Sequence, residues 1–357
     1  MSAESDLRPA PSRGRPEPSG PSSALSAPPR VTAILCTLGR HPRLRDAVTA
    51  LRRQRDVDLE VVVVDNDPAS GRTTAALAGL DEEPGAPLWV VAAERRGLSA
   101  ARNVGLAAAT GDLVAFTDDD ALPAPDWAAT VVALFDDAPE SSRLSCVTGR
   151  VVPGSLETPW ERLFEEAGGF DKGGEPLAWS LAPDGPSAAL GRPGPRGVLY
   201  PYGGTEFGAG NNMVFLRARL DDLGGFDEDL GAGTPTRGGE DLDVFRRVLL
   251  AGDTLAYSPG AVVHHFHRDS ADALRDQMYG YGTGMAAAMT KILTSDGRAS
   301  WHLARHLARV GWVVFSRRSP KNVGKSDGYP GWLTRAELAG YLAGPWLLLR
   351  TRRSRRR

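Results

Sequence analysis

The sequence predicts an α/β fold, a doubly wound and mainly parallel sheet followed by C-terminal helices, and three observations carry that reading. From Val31 onward, short apolar runs rich in β-formers alternate with stretches of helical periodicity. Residues 59–64 are apolar almost without a break, as a parallel strand buried on both faces requires. Two strand-like runs, 59–64 and 112–117, close on clusters of Asp, and ligands of open α/β sheets gather at the carboxyl ends of strands.

Residues 1–29 are Pro, Ser, Ala, Gly and Arg with almost no large apolar side chains, too few to offset the entropy of ordering, so disorder is expected there. The first strand is Val31–Thr37. A helix over 43–55 follows, with Leu44, Ala47, Val48 and Leu51 on one face. The second strand, 59–64, runs into Asp65-Asn66-Asp67. A helical stretch at 73–80, a strand at 88–92 and a helix at 98–109 lead to the strand 112–117 and to Asp118-Asp119-Asp120. Right-handed crossovers arrange such a series as a parallel sheet. A helix over 126–137 and a strand over 145–152 continue it. Residues 153–205 are rich in Gly and Pro and poorly periodic, which fits either an acceptor-facing set of loops or a surface insertion. A strand at 211–215, a short helix at 218–223 and a Gly-rich loop at 231–239 precede a helix opening at Glu240. Its acidic first turn suits the helix dipole, and Gly252 ends it. Strands are expected at 255–257 and 261–267.

The chain of 357 residues, 41% of them hydrophobic, has ample material for one core with appendages. A formal net charge of −2 argues against a general nucleic-acid binder, although six of the last eight residues are Arg. Cys36 and Cys146 lie in apolar runs without metal-ligand spacing and read as buried thiols of a reducing compartment. The N-terminus lacks a signal-like apolar segment and no run of about 20 apolar residues suggests a membrane span, so the expected location is cytoplasmic.

Three consecutive carboxylates at the end of a buried strand repel one another and resist desolvation. A divalent cation with its own anionic ligand would compensate them; an acidic turn with a helix cap is the alternative. Alternate residues of an extended segment point the same way, which pairs Asp118 with Asp120. The same alternation pairs His265 with His267 and leaves His264 on the opposite face.

Five segments together resemble a family 2 glycosyltransferase with the GT-A fold. They are Val61-Val62-Val63-Val64-Asp65-Asn66, Gly97-Leu98-Ser99-Ala100-Ala101-Arg102-Asn103-Val104-Gly105, and Ala109-Thr110-Gly111-Asp112 running into Phe116-Thr117-Asp118-Asp119-Asp120. Gly238-Gly239-Glu240-Asp241-Leu242-Asp243 and Pro259-Gly260-Ala261-Val262-Val263-His264-His265-Phe266-His267 complete the set. The resemblance spans about residues 31–270 and divides the chain into a segment 1–29, a GT-A domain 30–270, a helical region 271–349 and a basic tail 350–357. It implies a Rossmann-like nucleotide-binding half and an acceptor half, a nucleoside-diphosphate-sugar donor, a hydroxyl acceptor and Mn²⁺ or Mg²⁺ as cofactor. It further implies that Asp120 and His265 bind the metal and that Asp118 lies by the ribose or sugar. By the same resemblance Asp65 takes the base or ribose, Thr37 sits beside the base, and Arg102 and Asn103 lie near the donor. Arg102 serves equally as a cationic partner of the acidic cluster. His267 and Arg268 are candidates to face a diphosphate or an acceptor phosphate. Asp241 would be the base of a single displacement that inverts the anomeric centre, and simple helix capping is its other role. A Gln-x-x-Arg-Trp pattern is absent, which favours single addition over polymerisation.

Beyond residue 270 the segments 271–293, 302–315 and 337–349 read as helices. The last ends in Pro345-Trp346-Leu347-Leu348-Leu349 directly before the Arg-rich tail, a composition suited to peripheral contact with an anionic leaflet, or to packing back on the catalytic domain. Two rival activities remain at this level. A nucleotidyltransferase would carry a Gly-rich, basic loop after the first strand, of which Leu38-Gly39-Arg40 is a poor version. A catalytically silent sugar-nucleotide-binding or membrane-scaffold protein would not need Asp118, Asp120, Asp241 and His265 together.

Overall fold

The computed structural model describes residues 30–295, 297–316, 318–319, 322 and 329–355; the expected disorder of 1–29 and the last two arginines of the tail lie outside the described residues. Four parallel strands build the first half: β1 (Val31–Thr37), β2 (Leu59–Asp65), β3 (Leu88–Ala92) and β4 (Leu113–Asp118), in the spatial order β3-β2-β1-β4. Helices α1 (Leu44–Arg52), α2 (Arg72–Leu77) and α3 (Leu98–Ala108) connect them. All seven residues of β2 are buried because both faces of the sheet are covered. Val61 and Val63 enter the core on the α1 side, and Val62 and Val64 enter the core on the α3 side. Period-2 alternation across two covered faces makes residues 61–64 apolar in succession, while the buried Glu60 carboxylate accepts from Thr32 Oγ1 at 2.8 Å. Gly105, mid-helix in α3, costs about 1 kcal/mol in helix propensity. It lets α3 lie close on the sheet, since a Cβ there would come within 2.4 Å of Ile34 Cγ2.

The remaining elements are β5 (Ala121–Pro123), α4 (Trp127–Asp137), β6 (Leu144–Pro153), α5 (Pro159–Glu166), β7 (Leu177–Trp179), β8 (Arg192–Pro193), β9 (Met213–Leu216), α6 (Arg217–Asp222), α7 (Glu240–Leu250) and β10 (Thr254–His265). The sheet runs β3-β2-β1-β4-β9-β6-β10-β7-β8, with β5 pairing β10 off that path. β9 is antiparallel to both β4 and β6 and so joins the two halves at the point where strand direction reverses. The expected strands at 255–257 and 261–267 are one strand, β10, whose register against β6 shifts between Ser258 and Val262. Pro259 has no N–H to donate, so the ladder breaks there without ending the strand, and His267 falls beyond its end.

The stretch 153–205, read as irregular, contains α5, which opens with a capping box. The Thr158 side chain accepts from the Glu161 N–H, the Glu161 carboxylate accepts from the Thr158 N–H, and Pro159 stands at the first helical position. After β10 come α8 (Ala271–Ser295), α9 (Gly297–Phe315) and α10 (Gly331–Arg355). α10 packs along α8 backbone to backbone: a Cβ at Gly282 would meet Glu337 O at 2.1 Å, and one at Gly340 would meet Tyr279 O at 2.3 Å. No helix among the described residues is long and apolar enough to cross a membrane.

Candidate active site

The carboxyl ends of β1, β2 and β4 meet at one edge of the sheet, where Thr37 stands opposite Asp65 and Cys36 opposite Asp118. Burial pushes the Cys36 thiol up to about 12, so it is an inert neighbour at this edge. Thr37 Oγ1 donates to Asp119 Oδ2 at 2.5 Å and accepts from the Gly39 N–H at 2.9 Å. This turns Asp119 toward β1 and away from its two neighbours. Burial raises the Asp119 carboxyl to about 6, against the opposing effect of the Thr37 hydrogen bond.

Asp65 is buried and its Oδ1 accepts from the Asp67 N–H at 3.0 Å. Asn66 closes the loop beyond β3. Its Nδ2 donates to Ala93 O (2.9 Å) and Arg95 O (2.6 Å), and its Oδ1 accepts from the Gly97 N–H (2.9 Å). That clamp sets where α3 begins, and therefore where Arg102 and Asn103 fall. Asn103 holds the turn at Phe226, accepting from its N–H at 2.8 Å and donating to its carbonyl at 2.9 Å.

Arg102 is buried to 2% exposure between two carboxylates from distant parts of the chain. Nη1 donates to Glu240 Oε1 at 3.0 Å; Nη2 donates to Gly210 O at 2.9 Å and lies 3.4 Å from Asp118 Oδ1. It thereby ties the N-terminus of α7 to the end of β4. Asp241 follows Glu240 and its Oδ1 accepts from the Leu242 N–H at 2.8 Å. Gly210 permits this approach, because a Cβ there would stand 3.1 Å from Asp241 Cβ and 3.4 Å from Arg102 Nη2. Burial and the adjacent Asp241 charge raise the Glu240 carboxyl to about 7, with Arg102 opposing.

The sharp turn at Asp118-Asp119-Asp120 is pinned to β10 by β5, which places Ala121 opposite His265. Asp120 consequently faces His265: Nε2 lies 3.3 Å from Asp120 Oδ1, and Arg268 Nη1 lies 3.6 Å from Oδ2. Burial disfavours ionisation of Asp120, but His265, Arg268 and His41 outweigh it and hold the carboxyl below its ordinary value. Burial raises Asp118, with Arg102 opposing. Behind His265, its Nδ1 is 3.1 Å from His267 Nδ1, and His267 Nε2 is 2.7 Å from Glu165 Oε1 on α5. If Glu165 accepts the Nε2 proton of His267, His267 Nδ1 is left to accept from His265 Nδ1. His265 Nε2, which lies against Asp120, would then offer its lone pair to the acidic turn only where a cation takes the place of the Nε2 proton.

A divalent cation fits this arrangement. Asp120 Oδ1 is buried and lacks a hydrogen-bond partner, and an anionic oxygen beside an imidazole nitrogen is a donor set that Mn²⁺ accepts. Among the described residues no group of three or more His, Cys, Asp and Glu side chains is placed to hold a metal ion, so Asp120 and His265 would be only part of the coordination shell such a cation requires. Glu165 escapes the sequence pattern because it is 102 residues from His267. Tyr281 of α8 escapes it as well: it accepts from Gln277 Nε2 at 2.7 Å and feels the charges of Arg268, Asp241 and Asp120.

Residues 32–193 match the glycosyl transferase family 2 profile. The chain is 30% identical over 257 residues to a pre-mycofactocin glycosyltransferase of Mycobacterium tuberculosis, covering 70% of this chain and 44% of that protein. It is 30% identical over 206 residues to a glucosyl-dolichyl phosphate glucuronosyltransferase of Haloferax volcanii, covering 57% of each. The chain thus spans about half the length of these curated relatives. Among solved structures it resembles a Pyrobaculum calidifontis mannosyltransferase in complex with GDP-Man and Mn²⁺, with a TM-score of 0.57 at 21% identity over 90% of this chain and 88% of that one, a likeness of fold. Residues 32–193 thus carry a glycosyl transferase family 2 domain, and the chain has the GT-A fold.

Proposed function

We propose that the protein transfers a sugar from a nucleoside-diphosphate donor to a hydroxyl acceptor with inversion, assisted by Mn²⁺ or Mg²⁺, in glycoconjugate or glycosylated-metabolite synthesis. The observation that carries this reading is the convergence of buried Asp120 with His265, whose Nε2 lies 3.3 Å from Asp120 Oδ1, on the edge where Thr37, Asp65 and Asp118 also end. Asp65 and Thr37 hold the nucleoside, and Asp118 orients the ribose or sugar. Asp120 and His265 would hold the cation, and the chemistry it would supply is Lewis-acid neutralisation of the diphosphate leaving group. Asp241 takes the proton of the acceptor hydroxyl as its oxygen attacks the anomeric carbon from the face opposite the departing diphosphate oxygen. Arg102 positions Asp118 and the Asp241 turn through Glu240 and Gly210. The acceptor class we propose is a hydroxyl compound held at a lipid surface, since the helical appendage leaves an apolar, arginine-flanked face in solvent.

The test is donor consumption across UDP-, GDP- and dTDP-sugars with and without EDTA. The reading expects one donor to be consumed, only with Mn²⁺ or Mg²⁺; consumption indifferent to EDTA overturns the cation's part in it. Release of inorganic diphosphate from a nucleoside triphosphate and a sugar phosphate, with no donor consumed, would indicate nucleotidyl transfer instead.

A further inference from the structure

The face that α10 turns to solvent differs in kind from the face it buries. Close approach of Gly340 and Gly344 to α8 fixes the rotation of the helix, because a Cβ at Gly344 would stand 2.6 Å from Thr283 O. Leu333, Glu337, Gly340, Gly344, Leu348 and Thr351 therefore point inward. Outward, at helical spacing, stand Arg335, Leu342, Trp346, Leu349, Arg350 and Arg353. Leu342 is 84% exposed, Trp346 59% and Leu349 44%. A contiguous apolar stripe left in water marks an interaction surface.

The arginines at its ends indicate which kind. Arg352 and Arg355, on the flank, are used inside the molecule, pairing with Asp229 and Glu228. Arg335 and Arg353 have no ion-pair partner among the described residues, and Arg350 lies over the Trp346 ring at 5.4 Å. Apolar groups in the middle and free guanidinium groups at both ends match an interface of acyl chains under anionic headgroups. A second copy of the chain fits poorly, since apposing two α10 helices in either direction brings arginine against arginine. α9 adds to the same character, turning Trp301 and Trp312 outward with Arg305 and Arg309 exposed between them.

We propose that α10 lies on an anionic bilayer surface, with Leu342, Trp346 and Leu349 entering the interface and Arg335, Arg350 and Arg353 reaching headgroup phosphates. The proposal deepens the lipid-surface acceptor of the transferase reading, but its geometry does not depend on that reading. Long arginine side chains bridge the two depths by extending along the surface while their stems stay with the apolar residues.

The full chain is mixed with phosphatidylcholine vesicles containing about one third phosphatidylglycerol, and with phosphatidylcholine alone, at roughly physiological salt where surface attraction is partly screened. The expected result is co-sedimentation with the anionic vesicles only, weakened roughly fivefold for each charge removed in Arg350→Gln and Arg353→Gln. Tryptophan emission should be quenched by bromine-labelled lipid, and Trp346→Phe should reduce that quenching while thermal unfolding stays unchanged. Absence of binding to anionic vesicles, or quenching unaltered by Trp346→Phe, overturns the proposal. So does a dimer in solution that Leu342→Ser dissociates, since a second copy would then cover the face. Donor hydrolysis in free solution is unaffected by these variants, so failure here leaves the transferase reading standing.

Discussion

Replacing Arg102 by Met would remove the one cation that joins α3, β4 and α7 while keeping most of its buried volume. The cost can be worked out from three partners. Gly210 O loses its donor, at about 1–3 kcal/mol for a buried carbonyl left unpaired. Glu240 loses a 3.0 Å ion pair in a buried setting, where breaking one side costs about 3–5 kcal/mol if the carboxylate must stay charged. It need not stay charged. With Arg102 present its carboxyl is already raised to about 7, and Arg102 opposes that rise, so in the variant Glu240 protonates at neutral pH and limits the loss. Loss of the 3.4 Å contact to Asp118 adds little, that group being about one third exposed. We therefore expect Arg102→Met to lower unfolding stability by about 4 kcal/mol, and Arg102→Met/Glu240→Gln by about 2 kcal/mol, because Gln spares the cost of protonating Glu240 at pH 7. Urea unfolding of wild type, both single variants and the double variant at pH 7, with constant m, measures this. Additive losses within about 0.5 kcal/mol would refute the view that Arg102 and Glu240 form one buried unit.

Three further expectations follow from the same geometry. Glu165→Ala should weaken Mn²⁺ binding by about 10–100-fold, read by calorimetry on the free enzyme, because it releases the His267 tautomer that orients His265; unchanged affinity would remove Glu165 from the site. Gly105→Val should destabilise by several kcal/mol, of order 3, since its side chain would collide with Ile34 and Val64; a loss under about 1 kcal/mol would show that α3 can retreat from the sheet. Glu240 binds its proton more tightly in the folded state than in the unfolded one. Its contribution is thus fully present below about 4.5 and falls away as pH rises to about 7, by at most about 3 kcal/mol. The stability difference between wild type and Glu240→Gln should decline across that window, and a difference independent of pH would contradict the assignment.

The parts of the site that were legible in the sequence are those written in local pattern. The four successive valines of β2, the Asp residues ending β2 and β4, and the acidic opening of α7 each express a short-range requirement, namely two covered faces, a ligand edge and a helix dipole. β5 was not legible because three residues containing a Pro carry no periodicity, yet it is what brings Asp120 to His265. The bulge in β10 looked like a boundary because Pro259 and Gly260 are turn residues, and only pairing with β6 on both sides keeps the strand whole. α5 was within reach: Thr158, Pro159 and Glu161 announce a capped helix start inside an otherwise Gly- and Pro-rich stretch. The Glu165 and Asn66 contacts join residues far apart in the chain, and no spacing rule reports them. The inward face of α10 is set by glycines, whose role depends on a second helix.

The central claim is that Asp120 and His265 serve the donor while Asp241 serves the acceptor. Donor binding and transfer measured side by side, in Mn²⁺, for wild type, Asp120→Ala and Asp241→Asn separate the two. The account predicts that Asp120→Ala loses metal-dependent donor binding and therefore transfer, whereas Asp241→Asn binds donor as wild type does and loses transfer by about 10²–10⁴-fold. Full transfer by Asp241→Asn, or metal-dependent donor binding undiminished in Asp120→Ala, would contradict it.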